Sequence, residues 1–511
     1  MFRLRLLSRV FSASVLTFFT LFMLFIHMSA QTASAQSWQW ALSAATDSLK
    51  RGFQPMRVEI PAAQFDPALP KEPVALYAQI TATGELGTRT AQVQWTKADA
   101  DKVVVLWMEE SLAAKSAYGW QLTLSSTAPA SAAPTFKLTK VDSGIDVAYG
   151  AKNIYHYQDV YNEKFYGETR KPFNHVYGTD GKYITKGNEG EHPHQRGIFM
   201  GWNLHEHGYW TDGGGTVQIH KSYDPAMEVM GPVFSRVQST ISWQHNKVEE
   251  MSESRTVEAW WIKPGVTLLD FRFVLTEPDN KEFSLDGEGA HAGMQFRAAD
   301  EVNVNRMDSL LSAHQFSQDG PIKAGYNYTG KGHWIAQVFP VRGIKYLAMV
   351  MDHLDNPKPT EFPTRDYGRF GVFFNHVQPA GKPLPLYYRF LVTDRSVQDT
   401  AGIAAAYNSF QYPPEVKVVK GTVGLAQGTG PRSNSRGVLY ARMGLRIEAG
   451  ELRLSQPQPV NVNLYNMAGK LLLSREVSAQ ASVPLSSLPK GLVWIRAVGP
   501  SGAVTQPYFV P

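Results

Sequence analysis

The chain has 511 residues, a formal net charge of +5 at pH 7 and no cysteine. Without cysteine, disulfides, thiolate metal ligands and cysteine nucleophiles are excluded. Residues 1–35 hold three of the 50 basic residues and none of the 45 acidic ones, so the net charge without them is only +2. That balance gives no electrostatic reason to bind nucleic acid, and we expect no nucleic-acid partner.

Residues 1–35 have the pattern of an export signal. Three arginines precede the apolar stretch 10–28, and Ala-Ser-Ala at 33–35 provides small residues for cleavage. The apolar stretch is also long enough to anchor in a membrane, but the cleavage sequence favours its removal. No later segment has about eighteen uninterrupted apolar residues, so we expect no membrane span after signal removal. We therefore predict export to the cell surface or the extracellular space, or otherwise to the periplasm.

Most of the remaining chain predicts β-strands. Leu269, Phe271 and Phe273, for example, alternate with polar residues, as in a strand with one buried face. One helix is predicted, at about 397–407. With 42 glycines and 31 prolines between many short strands, the middle of the chain is typical of an all-β sandwich.

Two stretches without apolar periodicity divide the chain into three β-rich units. The two flanking units are small, and we expect immunoglobulin-like β domains there. The predicted boundaries are a signal at 1–35, an N-terminal module at 36–125, a linker at 126–134, a central domain at 135–412, a linker at 413–437 and a C-terminal domain at 438–511.

Residues 189–210 contain four of the 14 histidines. His192 precedes a proline, which favours an extended backbone, and residues two apart in an extended chain share a face. We therefore expect His192, His194 and Arg196 on one face, with the carboxylate of Glu191 beside them.

The segment 287–298 predicts a second face of the same kind. His291, Gln295 and Arg297 fall on one side of a strand, and the apolar residues between them fall on the other. Glycines among the polar residues leave room for close approach, so we predict a concave face that binds a ligand.

The proline-rich loop 352–370 is a third candidate, because long loops in compact domains are often functional. Its candidate binding residues are His353, Arg365 and Tyr367. Trp202, Tyr209 and Trp210 add flat apolar surface with polar edges, the kind against which sugars stack.

Structural roles remain open for several of these residues. His192 and His194 could be hydrogen-bonded in a turn, and Arg297 could belong to a buried ion network. His205 and His207 are expected on an exposed loop without a specific role.

The histidines also leave a metal site open. A His-x-His pair with His291 or Glu191 as a third ligand would suit catalytic zinc or non-haem iron, but stronger metal signatures are absent from the sequence. Without a metal, imidazoles beside carboxylates suit general acid–base catalysis. We assign no cofactor.

The segment from about 152 to 394 resembles an uncharacterised bacterial family labelled PmoA-like. The likeness rests on six motifs in the family's order: RKPFNHVYGTDGKYIT (170–185), EHPHQRGIFMGW (191–202), GYWTDGGG (208–215), GEGAHAGMQFR (287–297), DHLDNPKP (352–359) and LPLYYRFLVTD (384–394). The usual family motif is similar to DHPHHRG, from which this chain departs at Glu191 and Gln195.

The resemblance implies a β-supersandwich similar to galactose mutarotases, whose sites lie on a concave sheet face and use histidines and a carboxylate on sugars. It does not imply methane oxidation, because a membrane copper enzyme would need spanning helices. A shared fold does not transfer a reaction either.

The C-terminal unit resembles another known domain. Residues 461–477 (NVNLYNMAGKLLLSREV) and 485–499 (LSSLPKGLVWIRAVG) are similar to the sorting domain of proteins sent through the type IX secretion route, although QPYFVP replaces the usual basic strand. The resemblance implies the secretion machinery as a partner. The alternative is an ordinary immunoglobulin-like module.

We therefore predict an exported carbohydrate-active enzyme that hydrolyses, eliminates or epimerises a sugar or glycoside by histidine acid–base chemistry. The predicted catalytic residues are His192, His194, His291 and Glu191. The predicted substrate-binding residues are Arg196, Arg297, Gln295, Trp202, His353, Arg365 and Tyr367. The alternatives are a non-catalytic glycan-binding surface protein and a metal-dependent enzyme with a His-x-His site.

Overall fold

The computed structural model describes most of the chain between residues 36 and 510. The described ranges are 36–83, 88–131, 133–190, 192–211, 213–289, 291–304, 314–317, 320–322, 327–328, 332–365, 367–394, 400–419, 445–448, 451–454, 460–465, 471–477, 482–484, 491–499 and 502–510. The predicted export signal, Glu191 and the predicted linker from 420 onward lie outside the described residues.

The N-terminal unit is an antiparallel sheet around a tryptophan-rich core. Trp107 and Trp120 pack edge to face with ring centroids 5.5 Å apart. Both indole N–H groups donate to Oε1 of the buried Glu109, at 3.1 and 2.8 Å. Its strands are β1 (Ser37–Ala45), β2 (Arg51–Pro61), β3 (Tyr77–Ala82), β4 (Thr88–Gln94), β5 (Lys102–Leu112) and β6 (Ala117–Ser125), in the spatial order β2-β5-β4-β3-β6-β1, with 3-10 turns at Ala62–Gln64 and Lys97–Asp99.

The central unit contains most of the strands. They are β7 (Phe136–Val141), β8 (Gly144–Tyr149), β9 (Lys152–Gln158), β10 (Phe173–Val176), β11 (Ile198–Gly201), β12 (Asn203–Leu204), β13 (His207–Gly208), β14 (Thr216–Tyr223), β15 (Val229–Met230), β16 (Phe234–His245), β17 (Val248–Trp261), β18 (Val266–Thr276), β19 (Phe283–Asp286), β20 (Gly293–Arg297), β21 (His314–Ser317), β22 (Gly320–Ile322), β23 (Asn327–Tyr328), β24 (Trp334–Val341), β25 (Ile344–Asp352), β26 (Phe362–Arg365), β27 (Arg369–Val372), β28 (His376–Gln378) and β29 (Leu384–Thr393). The helices are a 3-10 turn at Glu163–Phe165, α1 (Tyr166–Thr169), α2 (Glu301–Val304) and α3 (Thr400–Gln411).

Two large antiparallel sheets form a sandwich in this unit. One has the order β23-β26-β27-β20-β11-β10-β9-β8-β7, the other has β14-β16-β17-β18-β29-β25-β24-β21-β22 with β15 beside β16, and a small sheet has β13-β12-β19-β28. Side chains of both large sheets share one core, in which Phe296 of the first sheet packs against Phe339 and Phe390 of the second. The predicted all-β class is therefore confirmed. In β18, Phe271 and Phe273 are buried and Arg272 between them is exposed, as the alternation predicted.

The second large sheet is covered on its outer side. Apolar residues of β24, β25 and β29 pack there against Ala406 and Tyr407 of α3 and against Val104 and Leu106 of the N-terminal unit. The sequence placed this helix at about 397–407, and the structure extends it to Gln411. Neither α3 nor any other helix in the described part of the chain is long and apolar enough to cross a membrane.

The chain returns to the N-terminal unit after α3. Strand β30 (Lys417–Val419) pairs with β1, with Ala41 opposite Val419. Part of the predicted linker 413–437 is therefore a strand that completes the N-terminal sheet. The sequence of the linker does not indicate this strand, because a segment of three residues is too short to show a periodic pattern.

The C-terminal unit contains two small antiparallel sheets. The described strands are β31 (Leu445–Glu448), β32 (Glu451–Leu454), β33 (Val460–Tyr465), β34 (Leu471–Val477), β35 (Ser482–Pro484), β36 (Gly491–Gly499) and β37 (Gly502–Val510). Their orders are β31-β32-β35 and β34-β33-β36-β37. Val462, Leu464, Val477 and Val483 are buried between strands of these sheets.

Candidate functional site

The outer face of the first large sheet carries a row of polar side chains. In the strand register, Gln295 lies opposite Phe199 and Gly371, and Arg369 lies opposite both Arg297 and Arg365. Residues opposite one another in an antiparallel pair share a face, while Phe296 between them points into the core. Gln295, Arg297 and Arg369 are each 0% exposed, so other parts of the chain cover this face.

Loops from distant parts of the sequence provide that cover. The rings of His194 and His291 are 6.0 Å apart, and Trp210 stacks on His291 at 5.3 Å. His192 stacks on Tyr367 at 5.4 Å. Segments about a hundred residues apart therefore meet at one place, which is what the sequence predicted for His192, His194 and His291.

The buried guanidinium groups are held by defined contacts. Arg297 lies 4.7 Å above the ring of Tyr367 and donates to the carbonyl of the same residue. Nη1 of Arg369 donates to Oε1 of Gln295 at 3.0 Å, and Nε2 of Gln295 donates to the Ala292 carbonyl at 2.6 Å. This chain of contacts ties the cationic row to the loop that carries His291.

Burial and neighbouring cations keep the histidines neutral. Burial, followed by the charge of Lys171, lowers the pKa of His194 to about 3. Burial and then Arg369 also lower the pKa of His291, although Oε2 of Glu288 lies 3.0 Å from its Nδ1 and favours the charged form. At neutral pH both imidazoles are therefore neutral, and each has a nitrogen lone pair to accept a proton or a hydrogen bond.

Two lysines add positive charge next to this cluster. The ammonium of Lys171 donates to the Trp210 carbonyl at 2.8 Å and lies 4.1 Å from the Phe199 ring centroid. Lys186 is 0% exposed and lies 3.7 Å from Asp300, and burial lowers its pKa. An anionic group would be stabilised by this potential more than a neutral one.

Arg196 does not lie on the predicted face. His192 has φ 56° and its carbonyl accepts from the Gln195 N–H at 2.9 Å, so residues 192–195 form a turn instead of an extended strand. The turn directs Arg196 underneath the loop. There it donates to the carbonyls of Pro193 and Glu168, both at 2.6 Å, and to that of Gly167. Its position fits a residue that holds the loop against α1 better than one that contacts substrate.

Trp202 and His353 also lie away from the cluster. Trp202 is 0% exposed in the sandwich core, where its indole N–H donates to the Phe374 carbonyl at 3.0 Å. His353 packs against Phe410 of α3 with ring centroids 5.2 Å apart, at the far side of the other sheet. The structure therefore gives neither residue the binding role predicted for it.

Trp210 and Arg369 belong to the cluster but were not among the predicted substrate-binding residues. Trp210 is half-buried, stacks on His291, and donates through its indole N–H to Asn203 at 2.9 Å. Arg369 lies opposite Arg365 across the hairpin of β26 and β27, a pairing that no periodicity within either strand indicates. Glu191, a predicted catalytic residue, lies outside the described residues.

The three histidines of the candidate site do not have the geometry of a metal site. Among the described residues, His192, His194 and His291 do not bring three ligand atoms within metal-binding distance, whereas His207, His245 and Glu250 do.

A surface cavity of about 400 Å³ lies at another edge of the sandwich, with Tyr177, Asp180, Trp261 and Tyr346 among its lining residues. None of the predicted site residues lines it. We therefore place the candidate site by its chemistry and not by cavity size.

The fold and the site together define an all-β sandwich protein with histidine, arginine and aromatic side chains gathered on one sheet face. A family model described as a family of unknown function, DUF6807, matches residues 144–408. The match covers just over half of the chain, so the chain belongs to this family. The matched region begins at β8, ends within α3 and contains every residue of the cluster. No curated protein matches the chain.

Proposed function

We propose that the protein is an exported carbohydrate-active enzyme that acts on an anionic sugar or glycoside at the outer face of the first large sheet. The observation that carries the proposal is the meeting of His194 and His291 at 6.0 Å, both neutral, above a row of buried arginines. Neutral imidazoles can accept protons, and fixed cations can stabilise the negative charge that develops when a proton leaves carbon.

His291 is the best placed base. Its Nδ1 lies 3.0 Å from Glu288, so the carboxylate can orient the ring and stabilise the imidazolium, while Nε2 takes the proton. His194 has the more depressed pKa and suits a neutral hydrogen-bonding role to a sugar hydroxyl. Trp210, stacked on His291, provides a flat surface for the sugar ring.

Substrate charge has a defined effect in this arrangement. The cations beside His291 and His194 help to lower both pKa values, so a bound carboxylate or sulfate would offset part of that effect. The imidazoles would then become stronger bases only when an anionic substrate is bound. This favours elimination or epimerisation next to a carboxylate over reaction on a neutral sugar.

The test is incubation of the protein with matched oligosaccharides that differ only in a carboxylate or sulfate group. Mass spectrometry separates the reactions, because hydrolysis adds water, elimination conserves total mass and epimerisation leaves the substrate mass unchanged. We expect products from the anionic substrates alone. His291→Gln should lower kcat at least about 100-fold, the usual contribution of a general base.

His353→Gln is the matched control, because it changes a partly buried histidine far from the cluster and should leave turnover intact. Binding of the same oligosaccharides without any product, with weaker binding by Trp210→Ala, would favour the rival function, a glycan-binding surface protein. Equal turnover of neutral and anionic substrates would refute the role given to the cations.

We also propose the finer relationships that the sequence suggested. The central unit is similar to PmoA-like and galactose-mutarotase-like proteins, and residues 438–511 act as a type IX sorting domain that brings the protein to the cell surface. Two small antiparallel sheets in residues 445–510 support the second proposal. Deletion of residues 438–511 should leave the protein in the periplasm instead of at the cell surface, and unchanged delivery to the surface would contradict this proposal.

A further inference from the structure

A second histidine cluster lies where two β-hairpins meet. His207 begins β13 directly after a tight turn, and His245 ends β16 directly before another. Both turns have two consecutive residues at positive φ: His205 (51°) and Glu206 (72°), and Asn246 (50°) and Lys247 (70°). Tight turns of this kind fix the register of the strands they join, so both imidazoles have defined positions.

A β-bulge brings a carboxylate to the same place. Trp243 pairs with Met251 and Gln244 pairs with Glu249, so Glu250 is an extra residue on β17. Bulges redirect a side chain from the face that alternation would give it. The Tyr209 hydroxyl donates to Oε2 of Glu250 at 2.8 Å and fixes the carboxylate.

The distances suit a metal ion. Nδ1 of His207 lies 2.8 Å from Oε1 of Glu250, and Nδ1 of His245 lies 3.7 Å from the same oxygen. The three ligand atoms all lie within 4.8 Å of one another. Ligands of a tetrahedral zinc ion at about 2.0–2.1 Å are separated by about 3.3 Å, so only small adjustments would be needed.

A hydrogen-bonded His–Glu pair would explain His207 and Glu250, but it would not explain His245. The His245 ring lies 3.6 Å from the His207 ring, centroid to centroid, and its Nδ1 faces the same carboxylate. All three residues are partly exposed and accessible to an ion from solvent.

We propose that His207, His245 and Glu250 bind a divalent transition-metal ion of the zinc type, with water completing the coordination. The ion would join the β12–β13 and β16–β17 hairpins. It would also hold the segment that leads from His207 to Trp210, and so support the wall of the candidate site without taking part in its chemistry. This site is independent of the proposed sugar reaction.

The test measures zinc binding to the full chain after chelator treatment and dialysis. Titration calorimetry with zinc chloride should give about one ion per chain, and elemental analysis of the reloaded protein should agree. His245→Ala and Glu250→Gln should each weaken zinc binding by more than about 100-fold, because loss of an outer contact alone costs 10–100-fold. His205→Ala is the matched control, since it removes a neighbouring imidazole in the exposed turn, and it should bind as the wild type does.

Thermal unfolding keeps the test valid if a variant is less stable. Zinc should raise the Tm of the wild type and of His205→Ala, but not that of His245→Ala compared with its own zinc-free form. Absence of stoichiometric zinc binding by the wild type would overturn the proposal. So would zinc binding that survives in His245→Ala but is lost in His194→Ala, because the ion would then belong to the other cluster.

Discussion

Arg196→Lys separates a structural role from a substrate-binding role at a position where sequence and structure differ. The guanidinium donates to three backbone carbonyls, those of Pro193, Glu168 and Gly167. A lysine keeps the charge but can make about one of these bonds in the same geometry, because it lacks the planar fork. Two lost bonds from a charged donor, at about 1.5 kcal/mol each, give about 3 kcal/mol of local destabilisation.

Hydrogen–deuterium exchange of the loop measures this effect directly. The Gln195 N–H donates to the His192 carbonyl at 2.9 Å, and the Gly197 N–H donates to that of Lys186 at 2.8 Å. A loss of about 3 kcal/mol should accelerate exchange of these amides by roughly 100-fold. Arg272→Lys, at an exposed arginine of β18, is the control and should change neither amide. Unchanged exchange together with a raised KM would refute the reasoning and restore Arg196 as a substrate ligand.

Three further predictions concern His175, the tryptophans Trp202 and Trp210, and Gly293. Burial lowers the pKa of His175 to about 3, so the unfolded chain takes up a proton first as the pH falls below about 6.5, and the free energy of unfolding decreases towards pH 3 by up to about 5 kcal/mol. Urea titrations at stepped pH should show a shallower acid slope for His175→Gln, and an unchanged slope would contradict the prediction. Trp202→Ala should cost about 3–5 kcal/mol of stability, whereas Trp210→Ala should weaken sugar binding with a smaller loss of Tm; equal losses of Tm would argue against the core placement of Trp202. Gly293→Ala should lower the Tm and disrupt the site, because a Cβ there would lie 2.0 Å from the Val372 carbonyl oxygen and the residue has φ 96°, so a wild-type Tm would show that the strand pairing is not as described.

Local periodicity was sufficient for the strands and for one half of the candidate site. In β20 the alternation of buried core residues with Gln295 and Arg297 follows directly from the two-residue repeat of an extended chain. The convergence of His291 with His194 was also expected. Both segments combine histidine and arginine with glycine on a sheet face, where a solvent-exposed sheet would usually carry lysine, glutamate, serine and threonine.

The prediction for residues 192–196 was wrong where a turn replaced the expected strand. A proline disfavours the right-handed helical region for the residue before it, but it does not decide whether the chain continues straight. His192 takes a left-handed conformation and the chain reverses, so the two-residue alternation from His192 to Arg196 does not apply. The rings of His192 and His194 still approach to 5.9 Å, whereas the Arg196 side chain is directed underneath the loop.

The contacts of the second histidine cluster could not be predicted from the sequence for a different reason. His207 and Glu250 are 43 residues apart, and a bulge directs Glu250 toward His207. No pattern within either hairpin shows that the two turns meet, so His207 was expected to have no specific role. The pairing of β30 with β1 could not be predicted for the same reason, because it joins Val419 to Ala41 at the start of the N-terminal unit.

Trp210 shows how these separate contacts produce a prepared binding surface. Its carbonyl accepts from Lys171 at 2.8 Å, its indole N–H donates to Asn203 at 2.9 Å, and its ring stacks on His291 at 5.3 Å. Three separate segments of the chain therefore hold the backbone and the ring of this residue before any ligand arrives. A sugar that stacks on this ring would order little of the protein on binding, so most of the contact free energy would appear as affinity. Because the adjacent Tyr209 is held by Glu250, a metal ion at the second cluster would strengthen the same preorganisation from the other side of the chain.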